Sequence, residues 1–588
     1  MHASAPHLRS DEKLPPLPHV AIFVADDLGF GEVSWNSRGR DDVRTPNLEA
    51  LRGRGVTLRR FYTFPSCTPA RAAMLTGRLP VRYHVPVRPI SRGGVPLDEK
   101  MISSVLHDRG YRTAMFGKWH LGINARAFWP SSRGFGLSYG SSTGAIDHMR
   151  HTAKDLRFIN GCARDWHRNG HALEQAGHAT SLIADEATQF IRDHNLRVYD
   201  VEKQLSARLA EGGDISKTAH AFRPQPLFIY VAFTALHHPY QISNQSRLRL
   251  IRAQTKSASE RRVCQLKRAM GEEMDAAIGR IVSALDKASR DNNALVVFLS
   301  DNGAPPGCNV DNKPLRGHKF SSFEGGVRVP AFIYWQGHLP PHSRSTTPLH
   351  VTDIMPTILR AAQIDTNTLE QLQLDGVDML HVLQQELSEG MPPMQAVLGA
   401  GVGGFGRAVR ERGVLLLTWT LSGTGPEMHF TAAQGWTSGH ATAFLLPDNQ
   451  KALLHGTWGK CSAWLYNLSV SEVGEGKEIH GDLPLCSKPG PPQHPGTPRR
   501  MKPLGVGAGG RAFSSLQALA TSLAWMGSNS TDVLTQCTSR GWNLTQAGPE
   551  LRREPLDFYH PETCHLDPPW NPDCSLKSTI IYNISVFP

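Results

Sequence analysis

Over its first 360 or so residues the chain alternates short, unbroken apolar runs with stretches whose apolar positions recur every three or four residues. The runs Val20–Val24, Thr113–Phe116, Leu227–Phe233, Leu295–Ser300 and Val329–Tyr334 lack the polar alternation of a half-exposed strand. Strands of this kind are covered by helices on both faces, which predicts a mostly parallel sheet. Between two of them, Val263, Leu266, Met270, Met274, Ala277, Ile278, Ile281 and Leu285 keep helical spacing. They predict one long amphipathic helix, with the methionines as core filler and not cofactor ligands. Beyond about residue 385 the runs Val414–Thr418, Thr442–Leu446 and Ala463–Leu468 are separated by loops, predicting a small antiparallel sheet.

The expected fold class is therefore α/β: a large mixed, mostly parallel sheet flanked by helices, plus a smaller C-terminal antiparallel-sheet domain. The predicted organisation is an N-terminal extension at 1–17, a large catalytic domain at 18–385 and the small sheet domain at 386–486. A Pro/Gly-rich connector follows at 487–512, then a tail at 513–588 with a short helix Ser514–Trp525 and the cysteines 537, 564 and 574.

Polar residues cluster just past the predicted strand ends. Asp26 and Asp27 follow the first strand, Lys118 and His120 the second, His237 and His238 the third, Asp301 and Asn302 the fourth. Open α/β sheets bind ligands outside the carboxyl ends of their strands, so these segments converge on one edge and one site. Asp26, Asp27, Asp301 and Asn302 offer only oxygen donors, which suit Ca²⁺ or Mg²⁺ better than zinc. Each pair also has a plain structural reading, since Asp-Asp commonly caps a helix and Asp-Asn-Gly is a common turn.

Cys67 stands in PSCTPARAAMLTGRLP, just ahead of a predicted helix in which Thr68 is the N-cap, Pro69 the first helical residue and Gly77 the stop. That places the cysteine at the positive end of a helix dipole, although a lone cysteine is as readily a small buried hydrophobe.

CTPAR with LTGR downstream resembles the C-x-P-x-R…TGR signature of the sulfatase family, whose fold is alkaline-phosphatase-like. ADDLG at 25–29, GKWHLG at 117–122, LHHPYQ at 236–241, SDNG at 300–303 and LRGHKFSSFEGGVRVP at 315–330 look like further elements of it. VPLDEK at 95–100 and LDGVDM at 374–379 bring the chain closest to the arylsulfatase B (N-acetylgalactosamine-4-sulfatase) branch; the segments 137–151 and 487–510 depart from it. The resemblance implies that Cys67 is oxidised to formylglycine by a formylglycine-generating enzyme. It implies Asp26, Asp27, Asp301, Asn302 and the oxygen at position 67 as ligands of one Ca²⁺, Mg²⁺ being the lesser candidate. It implies Arg71, Lys118 and Lys319 on the sulfate, with Lys319 preferred to Lys313. His237, preferred to His238, is then the general acid, with Lys319 a second candidate for that role, and His120 the base that lets sulfate depart.

The implied activity is hydrolysis of sulfate esters on a sulfated sugar or an aryl group. The competing readings are a phosphonate or phosphodiester hydrolase of the same superfamily and a non-catalytic sulfated-glycan-binding protein. Lysine and arginine number 63 against 52 acidic residues, a net charge of +11 that favours polyanions. No zinc-finger spacing, RNP-like motif or basic helix supports nucleic acid. No apolar run approaches the roughly 20 residues needed to span a bilayer. Five N-x-S/T triplets, at Asn244, Asn467, Asn529, Asn543 and Asn583, lean towards the secretory route, with a lysosome-like or extracellular destination, and the eight cysteines besides Cys67 permit disulfides. The first 20 residues hold no hydrophobic signal core, so a truncated or mis-set start is expected.

Overall fold

The computed structural model describes residues 16–391, apart from 38–42, 84–93, 124, 154–163, 211–224, 244–258, 290–291, 309–310 and 322. It also describes the backbone of five strands between 415 and 484. The apolar runs form strands where the pattern places them: His19–Ala25, Arg112–Lys118, Leu227–Ala232 and Ala294–Ser300. With Leu137–Ser141 they make a continuous parallel block. The ten-stranded sheet runs in the order Ser343–Ser345, Val56–Leu58, Ala331–Trp335, Ala294–Ser300, His19–Ala25, Leu227–Ala232, Arg112–Lys118, Leu137–Ser141, His167–Arg168, His171–Ala172.

Alternate residues of the first strand enter different cores. Val20, Ile22 and Val24 pack on one face, and Ala21, Phe23 and Ala25 on the other. Both faces are thus closed to water, which is why the strand sequence is continuously apolar. The second core is covered by the helices Ala179–Ala210 and Ser259–Ala288, packed on one another. The predicted stripe is buried from Met270 to Leu285, but Val263 is 39% exposed, so burial begins only later along the helix.

The run Val329–Tyr334 is not one strand. Arg328–Val329 pairs with Phe61–Tyr62 in a three-stranded sheet, whereas Ala331–Trp335 lies antiparallel to Ala294–Ser300. Pro330 has no N–H for a ladder bond, and the chain changes sheet there. The boundary expected at 385 falls inside the helix Met379–Ser388. Met379, Val382 and Leu383 of that helix are buried in the first core, and Glu386 accepts hydrogen bonds from Ser345 and Thr347, so the large unit continues through it.

Leu415–Thr420, Gly439–Leu445, Gln450–Thr457, Lys460–Asn467 and Glu478–Pro484 form an antiparallel meander. Three of the five strands were predicted. The connector, the helix at Ser514–Trp525 and the cysteines 537, 564 and 574 lie outside the described residues. Cys264 and Cys308 form a disulfide, joining the helix Ser259–Ala288 to the loop after Ala294–Ser300. Among the described residues no helix is long and apolar enough to cross a membrane.

Candidate active site

The parallel strands deliver their polar ends to one point. Asp26 and Asp27 directly follow His19–Ala25, and Asp301 and Asn302 directly follow the neighbouring Ala294–Ser300. The two loops are tied together, since the Asp27 N–H donates to Asp301 Oδ1 at 3.2 Å and the Leu28 N–H to Ser300 Oγ at 3.1 Å. Gly303 allows a further close approach. A Cβ there would lie 1.8 Å from the Gly325 carbonyl oxygen, so only glycine lets the SDNG turn sit against the EGGV segment.

Cys67 opens the helix Cys67–Thr76, all of whose residues are buried. The N-cap is Ser66, in extended conformation and without a side-chain cap bond. The expected start at Thr68 and Pro69 is therefore late by two residues: Pro69 sits inside the first turn, where its missing N–H leaves no intrahelical bond unmade. Gly77 ends the helix as predicted, in the left-handed conformation at φ 64°.

From that first turn the side chains meet the strand ends. Cys67 Sγ lies 3.6 Å from Asp26 Oδ1. Arg71 donates from Nε at 3.0 Å and Nη2 at 2.8 Å to Asp301 Oδ2, and from Nη1 to the Lys118 carbonyl at 3.1 Å. Lys118, the last residue of its strand, donates to Asp26 Oδ2 at 2.6 Å. Lys319 reaches Asp27 Oδ1 at 2.7 Å, and His237 Nε2 lies 3.7 Å from Asp27 Oδ2. His120 is near Thr68, with Nε2 3.4 Å from Oγ1. The structure thus gathers every predicted site residue at this point. His238 and Lys313 are not among these contacts; His238 is exposed and stacks on His237 with ring centres 4.4 Å apart.

Two site residues occupy left-handed backbone, Asp27 at φ 62° and His120 at φ 58°. Such conformations cost about 1–3 kcal/mol each and persist where the surroundings fix them. For Asp27 those surroundings are the backbone bond to Asp301 and the Lys319 and Asn302 contacts.

The electrostatics follow from burial. Loss of water pushes the Asp27 carboxyl up, but Lys319, His237 and Lys118 together hold it below the usual carboxylate range. Burial and the neighbouring Asp26 raise Asp301, Arg71 notwithstanding. Burial lowers the Lys118 and Lys319 ammonium groups, yet the facing carboxylates outweigh it and both are raised. His120 and His237 are pushed well below the ordinary histidine range by burial, with Lys118 foremost among the cations acting on His120 and Lys319 on His237. Burial and Asp301 push the Cys67 thiol up to about 12, so it carries no thiolate at neutral pH.

Asp26, Asp27, Cys67 and His237 present potential ligand atoms within 4.8 Å of one another. The Cys67 sulfur stands where an oxygen would be after oxidation. Two buried acceptors here have no hydrogen-bond partner, Asp27 Oδ2 and Asn302 Oδ1. Buried acceptors without a donor are rare, and hard oxygen atoms of this kind fit a bound Ca²⁺. Three buried carboxylates also face three buried cations, so a divalent ion would leave the site net positive and suited to an anion.

Sequence reasoning missed several supporting groups. The Thr63 hydroxyl donates to the Asp301 carbonyl at 2.9 Å, and His148 joins the Thr234 hydroxyl at 3.2 Å to the His237 carbonyl at 3.0 Å. Behind the Asp26–Asp27 loop, Lys267 is buried between Glu32 Oε2 at 2.8 Å and Asp311 Oδ2 at 3.0 Å. Lys267 lies three residues before Met270, on the apolar stripe itself, and that misplaced charge was the one readable signal.

Three buried cations and three buried carboxylates gathered at the carboxyl edge of a mostly parallel sheet, beside a buried helix-start cysteine, fit a hydrolase of anionic esters. The sulfatase family profile matches residues 18–364, and the chain belongs to the sulfatase family, the sulfuric ester hydrolases. It is 28% identical to mouse (Mus musculus) arylsulfatase J over 77% of this chain and 71% of that protein. It is 32% identical to human (Homo sapiens) arylsulfatase A over 65% of this chain and 70% of that protein. The crystal structure of Ps i-CgsB in complex with k-i-k-neocarrahexaose superimposes with a TM-score of 0.58 at 24% identity, covering 79% of this chain and 88% of that one, a likeness of fold. The family acts on sulfate esters of sugars or aryl groups, typically with Ca²⁺ and formylglycine.

Proposed function

We propose that this sulfatase cleaves sulfate esters through a formylglycine made from Cys67, assisted by one Ca²⁺ ion. The observation that carries the reading is the buried ring of Arg71, Lys118 and Lys319 around Asp26, Asp27 and Asp301, at the first turn of the Cys67 helix. Asp26, Asp27, Asp301, Asn302 and the oxygen at position 67 would hold the ion, with His237 close to Asp27. When bound, the ion polarises the sulfate oxygens and lowers the pKa of a hydroxyl beside it. The hydrated aldehyde supplies that hydroxyl as nucleophile and a second one through which sulfate can leave.

The chain's own groups do the rest. Arg71, Lys118 and Lys319 orient the sulfate and offset charge as it spreads over the oxygens. Lys319 and His237 flank the two oxygens of Asp27. Lys319, kept protonated by the facing carboxylates, would supply the proton to the leaving alkoxide, and His237 would join it once the charge of a bound sulfate favours its imidazolium form. His120, held neutral, takes the proton that releases sulfate. The Cys67 thiol, pushed up to about 12, makes a poor nucleophile until it is oxidised.

The natural substrate is proposed to be a sulfated glycan, with an aryl sulfate as surrogate, and the maturation partner a formylglycine-generating enzyme. A secretory route to a lysosome-like or extracellular site is supported by the Cys264–Cys308 disulfide and the N-x-S/T triplets. The test is mass spectrometry of the peptide bearing residue 67, expected to be lighter by ~18 mass units, alongside turnover of nitrocatechol sulfate. Rates on a matched aryl phosphate diester should be lower. An aldehyde-bearing preparation inert to every sulfate ester would refute the reading.

A further inference from the structure

Phe320 is a large apolar side chain left 39% exposed, and its position is unusual. Its ring centre lies 5.4 Å from Lys319 Nζ, the ammonium that sits 2.7 Å from Asp27 Oδ1. An exposed ring in contact with a buried site cation marks the boundary between the pocket and solvent. Its backbone is left-handed, at φ 67°, a conformation rare for a bulky residue and common near functional sites. The surroundings hold it there. The Phe320 N–H donates to the Pro65 carbonyl at 2.6 Å, two residues before Cys67; the Lys319 N–H donates to Ala304 at 2.9 Å and the Ser321 N–H to His318 at 2.8 Å. A single exposed phenylalanine is ordinary. One bound to the nucleophile's own loop, in an unfavourable backbone state, is not.

The other oxygen of Asp27 has a matching arrangement. His237 Nε2 lies 3.7 Å from Asp27 Oδ2, and exposed His238 stacks on His237. Two exposed rings from separate segments thus stand one residue outward from the two groups that flank Asp27. We infer that Phe320, with His238 as the second ring, forms a specificity-determining lip that receives the ring carrying the sulfate. This rests on the sulfatase reading of the site. The sulfate has cations to bind, whereas the phenyl ring offers no hydrogen bond. What Phe320 can hold is an apolar face, either an aryl ring or the C–H face of a hexopyranose.

The test compares Phe320→Gly, which keeps the left-handed backbone accessible, with the unaltered mature enzyme. Substrates are 4-nitrophenyl sulfate, N-acetylgalactosamine 4-sulfate and the ringless propyl sulfate. The preference for ring over ringless esters in kcat/KM is expected to fall about five- to tenfold, chiefly through KM, as one lost ring contact implies. Phe320→Tyr should keep the preference. A greater fall on the aryl or the sugar ester identifies which ring the lip serves. Equal losses on all three esters, or an unchanged preference, would overturn the assignment. Calorimetric binding of the same esters in a Cys67→Ala background reads the preference without turnover. If the mature enzyme cleaves no sulfate ester, the functional reading fails, and this binding comparison still decides the role of Phe320.

Discussion

Arg71→Met tests the centre of the site. Arg71 is fully buried and makes charge-assisted bonds from Nε and Nη2 to Asp301 Oδ2, with a further bond to the Lys118 carbonyl. Methionine is an unbranched apolar filler, so most of the change is the loss of charge and donors. Removing one partner of a buried ion pair costs about 3–5 kcal/mol, because the other charge is left uncompensated. Asp301 already lies above its ordinary range through burial and Asp26, and without Arg71 it rises further. A carboxyl whose folded pKa is raised favours the folded state at low pH and loses that contribution as pH rises through the folded value. The destabilisation should therefore be smaller at pH 5 than at pH 8. Arg71→Met with Asp301→Asn removes the orphaned charge and should recover at least ~2 kcal/mol. It should not recover activity, which falls at least ~10³-fold in both variants as electrostatic stabilisation is lost. Urea unfolding at the two pH values, with aryl sulfate turnover, provides the readout. A single-variant cost below ~1 kcal/mol, or no recovery in the double variant, would refute the argument.

The remaining predictions concern the metal and the buried lysine. Chelation should abolish turnover and lower the melting temperature, with Ca²⁺ restoring both better than Mg²⁺; at a hundredfold excess over Kd the ion contributes about 2.7 kcal/mol. An unchanged melting point in a verified metal-free sample would contradict the ligand assignment. Burial and Glu32 push the Asp311 carboxyl up to about 7, against the pull of Lys267. Its contribution to stability is accordingly complete below about pH 4 and is lost as pH rises through about 7. Asp311→Asn should flatten the melting temperature between pH 4 and 7, and a parallel curve would show that this carboxyl does not titrate there. Lys267→Met should cost about 3–5 kcal/mol, measured by urea unfolding, since Glu32 and Asp311 would then face each other without a cation.

The central strands and the long helix were legible because burial on both faces forces continuous apolar runs and one-faced burial forces a helical stripe. The convergence of Asp26, Lys118, His237 and Asp301 was legible for a related reason: in a parallel block, each residue that follows a strand lands on the same edge. The motifs then singled out which polar residues to expect at that edge. Local rules failed where tertiary contacts overrode them. The Cys67 helix starts earlier than its best capping residue, and the apolar run near Pro330 divides between two sheets. Val263 keeps the helical period yet faces solvent.

The sequence alone determined the parallel architecture, the edge at which the candidate site residues gather and the cysteine among them, because periodicity and chain order act over a few residues. Only the tertiary structure decided which charge pairs with which. Arg71 meets Asp301 across 230 positions and Lys267 meets Glu32 across 235, separations over which no local pattern selects a partner. The same holds for the outward Phe320, whose left-handed backbone and contact with Lys319 depend on how distant loops close around it. A buried charge is stabilised by its particular neighbours, and those neighbours are chosen by the packed fold.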